Sequence, residues 1–78
     1  ISPAKRAFNS LTPAQKNILK HLATGQPDKQ LTEILGIASS TLDNHRTAIL
    51  EKLRAQNIPV YTKAELAVWY AQNRNALG

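Results

Sequence analysis

The chain has no cysteine, only five acidic residues, and one Trp, two Tyr and one Phe among 78 residues. Without cysteine no disulfide can stabilise it, which fits a reducing, intracellular setting. The apolar runs are a few residues long, so no segment is expected to span a membrane. No signal-peptide pattern opens the sequence, which begins at Ile1 and not Met. The expectation is a piece of something longer. Two His without Cys or an acidic cluster make no metal site, and no cofactor is expected. A helical domain of this size lacks room for an enclosed catalytic pocket, so an enzyme is not expected.

What is present is apolar enough to fold. Hydrophobic residues are 42% and charged residues 19%, which excludes a disordered tail. At this length one small domain buries about 60–65% of its unfolded surface. Ten Lys and Arg against five Asp and Glu give a charge of +5. Such a balance points to a polyanion, with nucleic acid ahead of an anionic membrane surface.

Residues 1–10 show no apolar period and read as a linker, with Phe8 a candidate to fold back onto the core. The domain is then 11–78. A first helix over 12–24 opens with Thr12 as N-cap, Pro13 at the first position and Gln15 completing a capping box. Ile18, Leu19, Leu22 and Ala23 form its apolar stripe, and Gly25 is a left-handed C-cap candidate. His21 lies beside the stripe, where a packing or solvated role outweighs a ligand role. A second helix over 28–35 starts near Pro27 or Asp28, carries Leu31, Ile34 and Leu35, and stops at Gly36.

A third helix over 39–54 is capped by Ser39 or Ser40 and aligns Leu42, Ile49 and Leu53 on one face. Pro59, Val60 and Tyr61 mark an irregular connection. A fourth helix over 62–74 repeats the first device with Thr62 and Glu65, and takes Leu66, Ala67, Trp69 and Tyr70 as apolar surface. The fold class is all-α, a four-helix bundle with no strand.

The join of the second and third helices carries the functional signal. With Gly36 as the turn, Leu31, Leu35, Ile37 and Leu42 fall on the core positions of a helix-turn-helix, and Thr32 sits at the close contact. An ordinary helical corner matches part of this. The outward residues of the third helix tip the balance. Ser39, Ser40, Asp43, Asn44 and Thr47 are short hydrogen-bonding groups, suited to base edges and phosphates.

The stretches LTPAQKNILKHLATG, DKQLTEILGI, TLDNHRTAILEKL and TKAELAVW, in this order, resemble the LuxR/NarL-type helix-turn-helix domain. The resemblance covers Leu11 to about Tyr70. It implies a bacterial, cytoplasmic, DNA-binding effector domain, commonly behind a phosphorylated receiver or a ligand-binding domain. By position it implies base reading by Asp43, Asn44 and Thr47. It implies backbone contacts by Lys29, Thr41, Arg46 and Lys52, to which Ser39 and Ser40 are added. His45 holds a position where the family often has His. The partners implied are double-stranded DNA and a second copy paired through the last helix, with Val68, Ala71 and Gln72 at the contact. RNA polymerase is a further candidate; no membrane and no small molecule are expected.

Four features depart from the family's common pattern. Ala14-Gln15 replaces an Arg-Glu pair, and Ala38 replaces a Ser, which moves the expected cap to Ser39 or Ser40. Asp43 replaces a frequent Lys; it repels phosphate yet can accept from cytosine N4. Arg54-Ala55 replaces a frequent Gly-Val, with a longer loop to Tyr61. Two other classes stay open beside DNA-binding transcription regulation: a protein–protein module that has lost DNA binding, and a sigma-factor-like promoter-recognition domain.

Overall fold

The computed structural model describes residues 2–77, which form five helices and no strand. They are α1 (Pro3–Asn9), α2 (Pro13–Leu22), α3 (Asp28–Leu35), α4 (Ser39–Ala55) and α5 (Lys63–Leu77). The all-α class holds, with one helix more than the four expected.

The extra helix corrects the linker reading. The Ser2 hydroxyl accepts from the Lys5 N–H at 3.2 Å, and Pro3 stands in the first turn. Ala7 and Phe8 are buried, and Phe8 packs against Tyr70 at 6.3 Å between ring centroids. The Lys16 ammonium covers the Phe8 ring at 5.3 Å. Ala4, Ala7, Phe8 and Leu11 do stand at helical spacing, but alanine contributes too little hydrophobicity to make a stripe visible. Ile1, where that linker begins, lies outside the described residues, as does Gly78.

α2 begins as its sequence dictates. The Thr12 hydroxyl accepts from the Gln15 N–H at 3.1 Å, and Gln15 Oε1 accepts from the Thr12 N–H at 3.0 Å. Its end comes earlier than expected. Ala23 is the C-cap, and Gly25 takes its left-handed φ of 78° in the following turn instead. At the start of α5 the Thr62 hydroxyl accepts from the Glu65 N–H at 3.1 Å. The return bond lands one residue upstream, from the Tyr61 N–H to Glu65 Oε1 at 3.2 Å. α5 then runs through the polar 72–75 segment to Leu77, because Leu77 is buried beside the core.

Leu19, Leu22, Leu31, Leu42, Ile49, Leu53 and Leu66 are fully buried. α2 packs on both α4 and α5, α3 on α4, and α1 on α5 and α4. The loop after α4 is ordered by backbone chemistry. Asn57 adopts a left-handed φ of 65°, the Asn57 N–H donates to Arg54 O at 2.9 Å and the Ile58 N–H to Leu53 O at 3.1 Å. These are the two bonds that close a helix C-terminus when a left-handed residue follows it. Arg54 then donates to Val60 O at 3.1 Å and stacks over Tyr61, pinning the longer connection.

Leu42 sits under the corner with no exposed surface. Leu42→Ala should cost about 2–4 kcal/mol, since the site cannot fully collapse around the lost atoms. Urea denaturation checks this, and a midpoint equal to the parent's would mean that Leu42 does not support the corner.

Candidate nucleic-acid interface

α3 and α4 are joined by Gly36, Ile37 and Ala38 alone. Gly36 has a φ of 67°, a conformation that costs any residue with a Cβ about 1–2 kcal/mol. The cost would be backbone strain and not crowding, since a Cβ there would meet nothing within 4 Å. Thr32 O accepts from both the Gly36 N–H at 2.9 Å and the Ile37 N–H at 3.2 Å, closing α3. Leu31 and Leu42 are fully buried across the corner, with Leu35 and Ile37 packed partly against them. All four core positions read from the sequence therefore meet.

The capping expectation for α4 needs correction. The N-cap is Ala38, and no side chain caps the helix; Ser39 and Ser40 are already in its first turn and exposed. An alanine has no oxygen to offer the first N–H groups. The positive end of the helix dipole is thus left to solvent or to an arriving anion. Asp43, Asn44 and Thr47 are exposed beyond it, Thr41 and His45 are half-buried, and Lys29 on α3 is exposed.

Two expected backbone contacts have partners inside the protein. Lys52 Nζ donates to Gln15 Oε1 at 2.9 Å and to Ser10 O at 3.4 Å, tying α4 to the start of α2. Gln15, buried and neutral, thereby joins the capping box to α4 by a charge-assisted bond in place of an ion pair. Arg46 is held by two carboxylates. Its Nη1 donates to Asp28 Oδ2 at 3.1 Å and its Nη2 to Asp43 Oδ1.

Asp28, read from the sequence as a candidate start of the second helix, is the hub of this network. Lys63 Nζ, at the start of α5, donates to Asp28 Oδ1 at 2.8 Å and to Gln26 O at 3.2 Å. One carboxylate thus joins α3, α4 and α5. The Lys63 hydrogen bond first, and the Arg46 hydrogen bond second, hold the Asp28 carboxyl below its ordinary value of 3.8, against the opposing effect of partial burial. No local sequence signal marks this, because the three residues lie 17 and 18 positions apart and meet only when the corner folds.

Val68, Ala71 and Gln72 are exposed on α5. Val68 is 55% exposed and borders a shallow apolar cleft of about 430 Å³ that Ile58, Pro59, Val60, Ala64 and Trp69 also line. Among the described residues, no three His, Cys, Asp or Glu side chains come together as a metal site, and no helix is long and apolar enough to cross a membrane.

The Asp28 network generates a pH prediction. A carboxyl whose folded pKa is depressed stabilises the fold above its unfolded value and loses that contribution as pH falls through the folded value. Asp28 is 43% exposed, so each of its pairs is worth no more than about 1 kcal/mol after solvent screening. Asp28→Asn should lose about 1–2 kcal/mol at neutral pH. That deficit should shrink as pH falls below 3.8, where the parent carboxylate also takes up its proton. Urea titrations across the acid range read this, and a deficit independent of pH would show that the charge of Asp28 contributes nothing.

The comparisons with known proteins agree with this geometry. Residues 9–64 match the GerE family, described as bacterial regulatory proteins of the luxR family. The chain is 36% identical over 70 residues to the nitrate/nitrite response regulator protein NarL of Escherichia coli (strain K12), covering 90% of this chain and 30% of that protein. It is 35% identical over 63 residues to the transcriptional regulatory protein DesR of Bacillus subtilis (strain 168), covering 80% and 32%. It is 31% identical over 58 residues to nodulation protein W of Bradyrhizobium diazoefficiens, covering 74% and 26%. The chain thus spans less than a third of the length of each of these curated relatives. No solved structure gives a significant match. On the family match and the helix-turn-helix geometry together, the chain belongs to the luxR family of bacterial regulatory proteins, as a DNA-binding domain of transcription regulation and not an enzyme.

Proposed function

We propose that two copies of this domain bind a two-fold DNA site, each laying the N-terminal half of α4 in the major groove. The observation that carries this reading is the uncapped, short-chained start of α4, presented across the Gly36 turn with its hydrophobic underside fully buried. Asn44 and Thr47 read base edges. Lys29, Ser39, Ser40 and Thr41 touch the phosphate backbone, helped by the free N–H groups of the first turn. α5 pairs the two copies through Val68, Ala71 and Gln72. The apolar surface exposed there is small, so the free domain is monomeric or weakly dimeric and pairs on DNA.

In this reading the domain works in the cytoplasm, an attached regulatory domain controls when two copies pair, and RNA polymerase is the enzyme on which the bound regulator acts. One observation favours the competing reading of a protein–protein module. Arg46 and Lys52 both spend their charge inside the protein, which leaves fewer cations for phosphate. A mobility shift on random duplex at low and high salt separates the two, because a module without DNA binding shifts neither.

Selection of bound sites from random oligonucleotides supplies the preferred sequence for two further measurements. Asn44→Ala should lose preference at one symmetric pair of base positions, since a bidentate amide–adenine pair is worth about 1–3 kcal/mol, and should keep its affinity for random DNA. Equal losses on every sequence, or none, would remove Asn44 from base reading. Lys29→Ala should weaken all duplexes alike and flatten the plot of log affinity against log salt by about one unit. A loss confined to one sequence would make Lys29 a base reader.

A further inference from the structure

We infer that Asp43 is an internal competitor for DNA phosphate: it holds the outer edge of the Arg46 guanidinium on the protein and so lowers the affinity of the recognition face for any duplex. The inference rests on the DNA-binding reading above and assigns Asp43 a positioning role through Arg46 instead of a role on a base.

The geometry of the two acceptors is unequal. Arg46 presents its planar fork to Asp28 with Nη1 and to Asp43 with Nη2. Asp28 is anchored a second time by Lys63, and it stands at the start of a different helix. Asp43 sits on the same face of α4, three residues before Arg46, and Arg46 is its one ion-pair partner among the described residues. The Asp43 side chain is 59% exposed, against 22% for Arg46. The Asp43 arm is therefore the outer, wetter one, and the one an incoming anion reaches first. A phosphate oxygen can take the Nη2 edge with the same bidentate preference that a carboxylate has. Arg46 keeps its Asp28 bond throughout, so the guanidinium need not leave its place in the corner.

Charge accounting favours the same conclusion. Asp28, Asp43, Arg46 and Lys63 together carry two positive and two negative charges, and so contribute no net attraction for DNA. The excess positive charge of the chain lies on other residues. Binding at Arg46 must first displace Asp43, and that cost applies to every sequence equally. A uniform cost leaves the ratio of specific to non-specific affinity unchanged and lowers the occupancy of every site. Asp43 thus sets how tightly the recognition face holds any duplex, without touching a base.

The test is a double-mutant cycle on a random-sequence duplex across a range of salt, with Asp43→Asn, Arg46→Gln and both together. Asp43→Asn should tighten binding about two- to fivefold, the range of an exposed ion pair, and Asp43→Glu should return it toward the parent. The salt plot should steepen by about one unit as Arg46 becomes available to a phosphate. In the Arg46→Gln background the same Asp43→Asn change should keep only the gain from lost repulsion, smaller than in the parent, with no steeper salt plot. Arg46→Met, which keeps the apolar stem without the charge, replaces Arg46→Gln if that variant does not melt cooperatively. An equal gain with and without Arg46 would mean that Asp43 merely repels phosphate, and would overturn the inference. So would no gain, or a change confined to one base pair of the selected site. A parent that binds no duplex at any salt would instead remove the DNA-binding reading itself, and the inference with it.

Discussion

Burial of Leu42 against Leu31, across a turn that only a left-handed Gly36 closes without strain, is the constraint on which the rest depends. A three-residue join leaves two short helices almost no freedom, so their relative angle follows from packing on the underside. The outward face of α4 is then free to be chosen for chemistry. Ser39, Ser40, Asn44 and Thr47 are poor helix formers, and they are tolerated because Leu42, Ile49 and Leu53 hold the helix from below. Stability is concentrated on one side of α4, and the proposed DNA contacts lie on the other.

The charge pattern follows the same division of labour. Of the cations on α4, Lys52 secures the capping box of α2 and Arg46 secures the corner. The net charge of +5 therefore overstates what α4 itself offers a phosphate. In the proposed reading, attraction at the interface rests more on backbone N–H groups and on Lys29 than the composition implies. This places weight on geometry, because a helix N-terminus attracts an anion only within its first turn.

What could be read in the sequence, and what could not, divides along a physical line. The Thr12–Gln15 box, the stop at Gly36 and the Leu42–Ile49–Leu53 face are local or periodic, and each appears as read. α1 was hidden because three of its four inward positions are Ala4, Ala7 and a loop residue, Leu11, with Phe8 the one large apolar group inside the helix. The start of α4 at Ser39 appears as read; its capping residue does not, because the general preference of Ser for an N-cap pointed to Ser39 or Ser40 where Ala38 holds the position. At the site, exposure of Asp43, Asn44 and Thr47 follows from helical period. The Arg46–Asp28 and Lys52–Gln15 pairs do not, since hydrogen bonds between residues 18 or 37 positions apart leave no periodic trace, whereas Asp43 and Arg46 stand at the i,i+3 spacing of one helix face.

Lys5 Nζ lies 3.1 Å from the carbonyl oxygen of Leu77, so α1 begins beside the place where α5 ends. Contact between residues 72 positions apart makes the described chain a nearly closed ring. A short linker could join its ends, and the polypeptide could be opened instead in the exposed part of the connection near Gln56, with the corner left whole. By the same geometry, polypeptide entering before α1 and polypeptide leaving after α5 share one narrow exit. Anything joined before α1 would stand close to anything joined after α5, and each would limit the size of the other.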